Sequence, residues 1–164
     1  MPFTPFHFGP NGLAALLSPK RFDLPVFILV NVAVDLEPLV VMSFQLDLPA
    51  HGPSHSYTVG TLLALVFSVP AYFMRDLSKK VMSFFSLAYD TSFAKIALSS
   101  ILGVWLHVAL DSFLYPEMRP FYPLDGNPWY GKLSLEEVQG LCLAAFLPAA
   151  WVYFRTRKDQ KGNK

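Results

Sequence analysis

The sequence predicts an all-α membrane protein: a bundle of about four transmembrane helices with a short N-terminal re-entrant or interfacial helix. Of its 164 residues, 53% are hydrophobic and only 15% are charged, whereas soluble domains average about 25% charged. The positive residues are also absent from two long stretches, Phe22–Met74 and Ile96–Met118. These observations argue against a disordered chain. The net charge of +1 offers no field to attract a polyanion, so we expect no nucleic-acid partner.

Four apolar stretches approach the roughly 20 residues that a helix needs to cross a bilayer. They are Leu24–Phe44, Val59–Met74, Ile96–Leu114 and Val138–Phe154. The first is interrupted by two carboxylates and a proline, and the second is short and contains a proline. The alternative to a membrane protein is a compact soluble bundle whose core helices are very apolar.

The loop charges predict the orientation of these spans. Eleven Lys and Arg residues lie on the side of the second inter-span loop and the C-terminus, and two lie on the other side, Arg119 and Lys132. Because cytoplasmic loops retain positive charge, we expect a multi-pass cell-membrane protein with a cytoplasmic C-terminus. The predicted organisation is one membrane-embedded helical domain, residues 1–154, and a basic cytoplasmic tail, residues 155–164.

The segments outside the spans add three expectations. Met1–Ser18 has no Lys or Arg and thus lacks the positive region of a signal peptide; it fits a half-buried or re-entrant helix. The loop Tyr115–Lys132 is rich in Pro, Gly and aromatic residues, which predicts an ordered irregular lid near the interface. Cys142 has no partner cysteine and stands in an apolar run, so we expect it to pack in the core.

Charged and imidazole groups remain inside the apolar spans, where a charge costs about 2.5–3.5 kcal/mol on insertion scales. Asp35 and Glu37 lie in the first span, and only one of them is expected to face a common site. His107 and Asp111 lie in the third span, four residues apart. On a helix this spacing places both side chains on one face, where they can hold one metal ion or one proton.

The predicted topology brings further histidines to the same place. His51 and His55 stand in the loop between the first two spans, on the predicted outer side. His107 and Asp111 lie in the outward half of their helix. Neutral imidazoles with carboxylates suit zinc, or manganese and iron less selectively. A metal site is therefore predicted, and a proton relay or a purely structural polar network are its alternatives.

The order of these residues resembles the membrane-bound metal-dependent hydrolases, a family related to zinc-dependent phospholipase C and the S1/P1-type nucleases. The motifs are an early His7, Asp35 in an apolar helix, a His-x-x-x-His loop at His51 and His55, and a late His107-x-x-x-Asp111. The resemblance extends from His7 to about Asn127. The loop departs from the common His-Arg-Gly-x-Thr-His-Ser form: it lacks the Arg, has Ser54 for Thr and spaces its histidines by four.

The resemblance implies a role for each of these positions. The first metal would be surrounded by Asp35, His55, His107 and Asp111, with His51 an alternative or additional ligand. His7 would join Asp111 at a second metal. The family has an aspartate where Asp35 stands, so Glu37 becomes an outer-shell group or a further ligand. No histidine is left for a third metal, which limits the site to one or two ions.

The chemistry expected from this resemblance is hydrolysis of a small-molecule or lipid-like phosphoester by a metal-activated water, at the outer face of the membrane. Asp35, His55 and Arg119 are the candidate catalytic residues, and Arg119 is expected to bind a phosphate group, unless it is simply a solvated loop residue or a headgroup contact. Two other classes remain open. One is a small transporter or carrier of metal ions or protons that uses the same His and Asp residues. The other is a membrane scaffold whose polar residues satisfy one another.

Overall fold

The computed structural model describes residues 4–162, and every regular element in that range is helical. This confirms the predicted all-α class. A 3₁₀ turn, Pro53–His55, lies between the third and fourth of the seven α-helices. The α-helices are, in chain order, α1 (Thr4–Leu17), α2 (Leu24–Val34), α3 (Leu36–Ser43), α4 (Tyr57–Phe73), α5 (Arg75–Phe84), α6 (Phe93–Ser112) and α7 (Leu135–Gly162).

Three segments of the described chain are long and apolar enough to cross a membrane. They are Leu24–Ser43, which combines α2 and α3, then α6, and Leu135–Lys158 in α7. A fourth span is reached if α4 and α5 are counted as one, although the two helices are bent by 73°. The fold is thus compatible with the predicted membrane protein. The predicted second span corresponds to α4, which has 17 residues.

The first span is interrupted at Asp35, between α2 and α3. Proline has no backbone N–H, so Pro38 cannot donate the helical hydrogen bond to the carbonyl of Val34, and its ring crowds that carbonyl. The chain still continues in helical sense, because the Asp35 N–H bonds the Asn31 carbonyl at 3.2 Å. Because Asp35 stands between two helices, the direction of its side chain does not follow from the spacing of a single regular helix.

Helix α6 lies at the centre of the bundle and packs against both α4 and α2. Its close approach to α2 depends on Gly103, since a Cβ atom there would lie 2.6 Å from Val30 Cγ1. The buried apolar cluster consists of Val30, Val34, Ala64, Val104, Val108 and Met118. Large apolar side chains of α3, α4 and α7 point outward instead, as expected for surfaces that face lipid.

A second polar cluster lies at the start of α2. Asp23 caps this helix by accepting a hydrogen bond from Val26 N, and its other carboxylate oxygen accepts from Tyr89 and Thr91. Its own N–H donates to Ser99 Oγ. Burial raises the pKa of Tyr89 to about 12, so the phenol stays protonated and donates to Asp23. Both oxygens of this buried carboxylate are satisfied, which indicates a structural role.

The N-terminal helix is present as expected, although it begins at Thr4; Met1–Phe3 lie outside the described residues. It packs mainly against α7 and also contacts α2. Helix α7 continues to Gly162, so the predicted basic tail from residue 155 is helical as far as the structure describes it. Residues 163–164 lie outside the described range.

The loop after α6 is irregular but ordered, as predicted. The Asn127 side chain donates to the carbonyls of Ser112 and Tyr115, and it thereby satisfies groups at the C-terminal end of α6. Its Oδ1 accepts a hydrogen bond from Trp129 N. The Trp129 ring packs edge-on against Tyr57 at the start of α4. Asn127 therefore fixes the loop to the helices and has a structural part.

We expect Gly9→Ala to destabilise the fold by about 1–3 kcal/mol, the usual cost of overpacking. A Cβ atom at this position would overlap the carbonyl oxygen of Cys142 on α7. Gly12→Ala is the matched control on the same helix, since its nearest neighbour would be Ile28 Cδ1 at 3.9 Å. Unfolding of both variants in detergent micelles measures the difference, and equal stabilities would contradict this packing.

Candidate metal centre

The third span supplies two buried side chains. His107 and Asp111 lie one turn apart on α6 and are 0% and 2% exposed. His107 Nε2 lies 3.2 Å from Asp111 Oδ2. The spacing of four residues therefore brings the two side chains together on one face of α6, as the sequence predicted.

The first span adds Asp35 from the interruption between α2 and α3. Its Oδ1 lies 3.3 Å from His107 Nε2 and 3.7 Å from His55 Nε2. His55 is placed by the 3₁₀ turn, and its backbone N–H bonds the carbonyl of Gly52 at 3.1 Å. The next residue, Ser56, caps α4 by accepting from Val59 N. The loop histidine is thus held between a tight turn and a helix start.

Together these elements form a group in which each of four residues offers one ligand atom, all within 4.8 Å of one another: Asp35, His55, His107 and Asp111. Ligand atoms about 2.0–2.2 Å from a tetrahedral zinc ion lie about 3.4 Å from each other. The three separations given above are 3.2, 3.3 and 3.7 Å. Two imidazole nitrogens and two carboxylate oxygens therefore have the chemistry and the spacing for one divalent cation.

Buried polar atoms without hydrogen bonds support this assignment. Among the described residues, His55 Nε2 and His107 Nε2 have no hydrogen-bond partner and belong to the group; His7 Nε2 and Asp111 Oδ1 also have none, and they lie 3.3 Å from each other. A buried polar atom left unsatisfied costs about 1–3 kcal/mol, so such a concentration needs a physical reason. A cation coordinated by the group would supply it.

Asn31 orients His107. The Asn31 amide nitrogen donates to the carbonyl of Phe27 at 2.5 Å, so its Oδ1 is left to accept. That oxygen lies 3.1 Å from His107 Nδ1, which places the imidazole proton on Nδ1. His107 Nε2 therefore faces Asp35 and Asp111, and in the neutral imidazole it would present its lone pair to a cation there. This arrangement is the outer-shell support that a metal-binding histidine usually has.

Glu37 orients His55 from the opposite side. Its Oε2 lies 3.4 Å from His55 Nδ1 and accepts a short hydrogen bond from Ser54 Oγ. Burial lowers the pKa of His55, but its contacts with the carboxylates of Asp35 and Glu37 outweigh burial and raise it. A proton would therefore compete with a metal ion for this imidazole. Asp35 therefore contacts Nε2 of His55 and Glu37 contacts Nδ1, on the side away from the ligand group.

His7 reaches the centre from α1. Its Nδ1 lies 3.2 Å from His107 Nδ1 and its Nε2 lies 3.3 Å from Asp111 Oδ1. His7 Nδ1 thus approaches the same His107 nitrogen that faces Asn31, while His7 Nε2 faces the carboxylate of Asp111. One turn later Asn11 donates to the His7 carbonyl and to Asn31 Oδ1. His7 lies beside the four-residue group and contacts two of its members.

His51 lies next to the group without belonging to it. Its Nδ1 lies 2.9 Å from Glu117 Oε1, and its ring stacks on Tyr115 with centroids 3.6 Å apart. Its centroid is 5.0 Å from that of His55. Burial lowers the pKa of His51, although the hydrogen bond with Glu117 opposes this. The structure thus brings His55, not His51, into the ligand group.

Arg119 lies further out, at the rim of a pocket of about 460 Å³ that also contains His51 and Glu117. It forms an ion pair with Asp125 at 2.8 Å, and both side chains are more than half exposed. The structure therefore does not place Arg119 among the four ligand atoms. Arg119 lines a separate pocket, to which none of the four ligand residues contributes a lining residue.

Three supporting residues were not identified from the sequence: Asn11, Asn31 and Glu117. Asn31 is a buried polar residue four positions before Asp35 in an apolar stretch, and Asn11 follows His7 by the same spacing. Because side chains at i and i+4 share a helix face, these spacings indicate that Asn31 lies near Asp35 and that Asn11 lies near His7. Glu117 stands in an irregular loop and has no comparable signal.

We expect Asn31→Leu to weaken metal binding by about 10–100-fold, the usual effect of losing an outer-shell partner of a metal-binding histidine. The substitution removes the acceptor that holds the proton on His107 Nδ1. Competition with a coloured chelator measures the affinity. Ser68→Ala is the control, because it removes a buried hydrogen bond to Ser100 outside the centre. Equal weakening by both substitutions would show that Asn31 acts only through general packing.

Comparison of the chain with protein-family models, with curated proteins and with solved structures finds no significant match. The class defined by the fold and the site is therefore an all-α protein with candidate membrane spans and a buried His/Asp group able to hold a metal ion.

Proposed function

We propose that this protein is an integral-membrane, metal-dependent hydrolase that cleaves a phosphoester. The observation that carries the proposal is the buried convergence of two imidazole nitrogens and two carboxylate oxygens from three separate segments. A divalent ion bound there, with zinc the first choice and manganese or iron the alternatives, would polarise a phosphoryl oxygen and lower the pKa of a bound water toward about 7.

The chain's own residues have separate tasks in this proposal. His55, His107 and Asp111 would hold the cation as its three protein ligands, so that a water molecule could be bound on the side of Asp35. Asp35 is the most exposed member of the group, with its side chain 22% exposed, so it faces the substrate and takes up the proton that the attacking water releases. Arg119, after leaving Asp125, binds a phosphate oxygen at the pocket entrance.

We propose a single ion rather than two. The four ligand atoms that lie within 4.8 Å of one another come from Asp35, His55, His107 and Asp111, and His7 is not among these residues. In this assignment His7 holds Asp111 in place. The site otherwise agrees with the roles that the family resemblance implies, and that resemblance favours a phosphoester over an amide.

A lipid-like substrate fits the position of the centre. Asp35 lies where the first span is interrupted, and the adjoining residues Leu36, Leu39 and Val40 are exposed on the outside of the bundle. A phosphoester with an apolar tail would bring its phosphate to Asp35 while the tail remains in the lipid. From the bias of Lys and Arg we expect this end of the protein on the non-cytoplasmic side.

The alternative function is a carrier of metal ions or protons, since an interrupted helix with carboxylates inside a span is also found in transporters. The packing along α6 favours the hydrolase. Gly103 and Val104 occupy the turn of α6 between His107 and the buried serines Ser99 and Ser100. Gly103 packs against Val30 of α2, and Val104 belongs to the apolar core cluster. Asn31, the buried polar side chain that bonds the Phe27 carbonyl beside Gly103, is directed to His107 and Asn11 and so belongs to the surroundings of the metal centre.

The test is hydrolysis by the detergent-purified protein after loading with zinc. Phospholipid micelles and a soluble chromogenic phosphodiester serve as substrates, and a chelator-treated sample serves as the blank. We expect activity only in the loaded sample. Arg119→Gln should lower kcat/KM about tenfold or more, as for loss of a charged hydrogen bond, whereas Lys132→Gln should not. Bound metal without hydrolysis of either substrate would favour the carrier.

A further inference from the structure

We propose that α5 is a membrane-surface helix that binds the headgroups of acidic phospholipids. This inference is independent of the metal centre. It begins from the bend after α4: the chain turns by 73° at Met74. Taken by itself, the 17-residue α4 is just long enough to cross a bilayer, and a helix that follows it at this angle then lies close to the membrane plane, which is where amphipathic helices lie.

The residues of α5 divide into two faces. Leu77, Val81 and Phe84 follow the i, i+4, i+7 spacing of a single face and are 52%, 44% and 82% exposed. Met82 projects from a different side and is buried against the bundle. The outward stripe therefore has no partner among the described residues. Its length and width suit insertion at the boundary between headgroups and acyl chains.

Positive charge borders this stripe. Lys79 lies about 160° from the middle of the stripe, on the water side of such a helix, and Lys80 lies at its edge, given 100° per residue. Arg75 stacks on Tyr72 at 4.4 Å and donates to its carbonyl, which anchors the start of the helix. The helix has one acidic residue, Asp76. Cations next to an exposed apolar face complement a surface of anionic headgroups.

Other cations gather at the same end of the bundle. A cavity of about 530 Å³ is lined by Met82 of α5 together with Lys20, Lys95 and Thr156 from three other segments. The hydroxyl of Tyr153 on α7 also donates to the carbonyl of Phe85 at the end of α5. The helix is therefore fixed to the bundle at both ends, in the region that contains the chain's excess of Lys and Arg.

The experiment places an environment-sensitive fluorophore on α5 of the full chain in lipid nanodiscs. Val81→Cys and Lys79→Cys are labelled separately in a Cys142→Ser background. We expect the probe at position 81 to be blue-shifted and shielded from aqueous iodide, and the probe at position 79 to be quenched. Equal quenching at both positions would overturn the proposal. A blue shift at position 81 that depends on protein concentration would also overturn it, because the stripe would then be covered by a second copy of the chain.

The headgroup preference is tested in mixed nanodiscs with spin-labelled phosphatidylglycerol or phosphatidylcholine as quencher of the probe at position 81. We expect the acidic lipid to quench severalfold more strongly, since each Lys near the surface is worth roughly a fivefold preference. Lys79→Gln with Lys80→Gln should abolish the preference, as should high salt. Lys132→Gln, an exposed lysine elsewhere, should preserve it. Equal quenching by both lipids in the unsubstituted helix would overturn the acidic-lipid assignment.

Discussion

Asp111→Asn should abolish metal binding, with bound zinc falling from about one equivalent per chain to less than a tenth. The substitution keeps the shape of the side chain and removes a charged ligand, so the loss should exceed the roughly 10–100-fold effect of removing an outer-shell partner. Metal analysis of the purified protein after removal of free zinc measures the result. A value near two equivalents in the unsubstituted protein would contradict the single-ion assignment and favour a second site at His7.

Thermal unfolding gives an independent measure of the same effect. An ion that binds only the folded state stabilises it by about 4 kcal/mol when its free concentration is a thousand times Kd. A chelator should therefore lower the melting temperature of the unsubstituted protein and leave that of Asp111→Asn unchanged. Glu136→Gln is the control, since this exposed carboxylate at the start of α7 lies outside the centre. Equal sensitivity of both variants to the chelator would show that Asp111 does not hold the ion.

The sequence predicted the fold class because hydrophobic content and the distribution of Lys and Arg are direct consequences of a membrane environment. It also predicted the pairing of His107 with Asp111, since i, i+4 spacing on a helix determines that geometry. The interruption of the first span at Asp35 followed from Pro38. These predictions depend on local chain geometry, which a sequence expresses directly.

Other features depend on contacts between distant segments. Spacing alone did not decide between His51 and His55, because the 3₁₀ turn that directs His55 inward is held by its neighbours. The role of Glu37 was open for the same reason: it reaches His55 only because Gly52 lets the loop approach, as a Cβ there would lie 2.5 Å from Glu37 Oε1. The position of α5 relative to α4 is likewise a tertiary angle that the sequence does not encode locally.

A pair of asparagine substitutions distinguishes the two loop histidines, and its expected effects are large and opposite. Asparagine places its amide near the position of Nδ1 and deletes Nε2. His55→Asn should therefore keep the contact with Glu37 yet lose the metal, because His55 Nε2 is the atom that faces Asp35. His51→Asn should keep the contact with Glu117 and retain about one equivalent of zinc. Metal analysis of both variants is the measurement.

The same pair separates metal binding from substrate binding. His51 lines the pocket that has Arg119 at its rim, so His51→Asn should raise KM for a phosphoester while zinc remains bound. His55→Asn should remove activity together with the metal, and added zinc should not restore it at concentrations that saturate the unsubstituted protein. The reverse outcome, with zinc lost from His51→Asn and kept by His55→Asn, would move the site toward Glu117. In that case the buried, unpaired Nε2 atoms of His55 and His107 would need a different explanation.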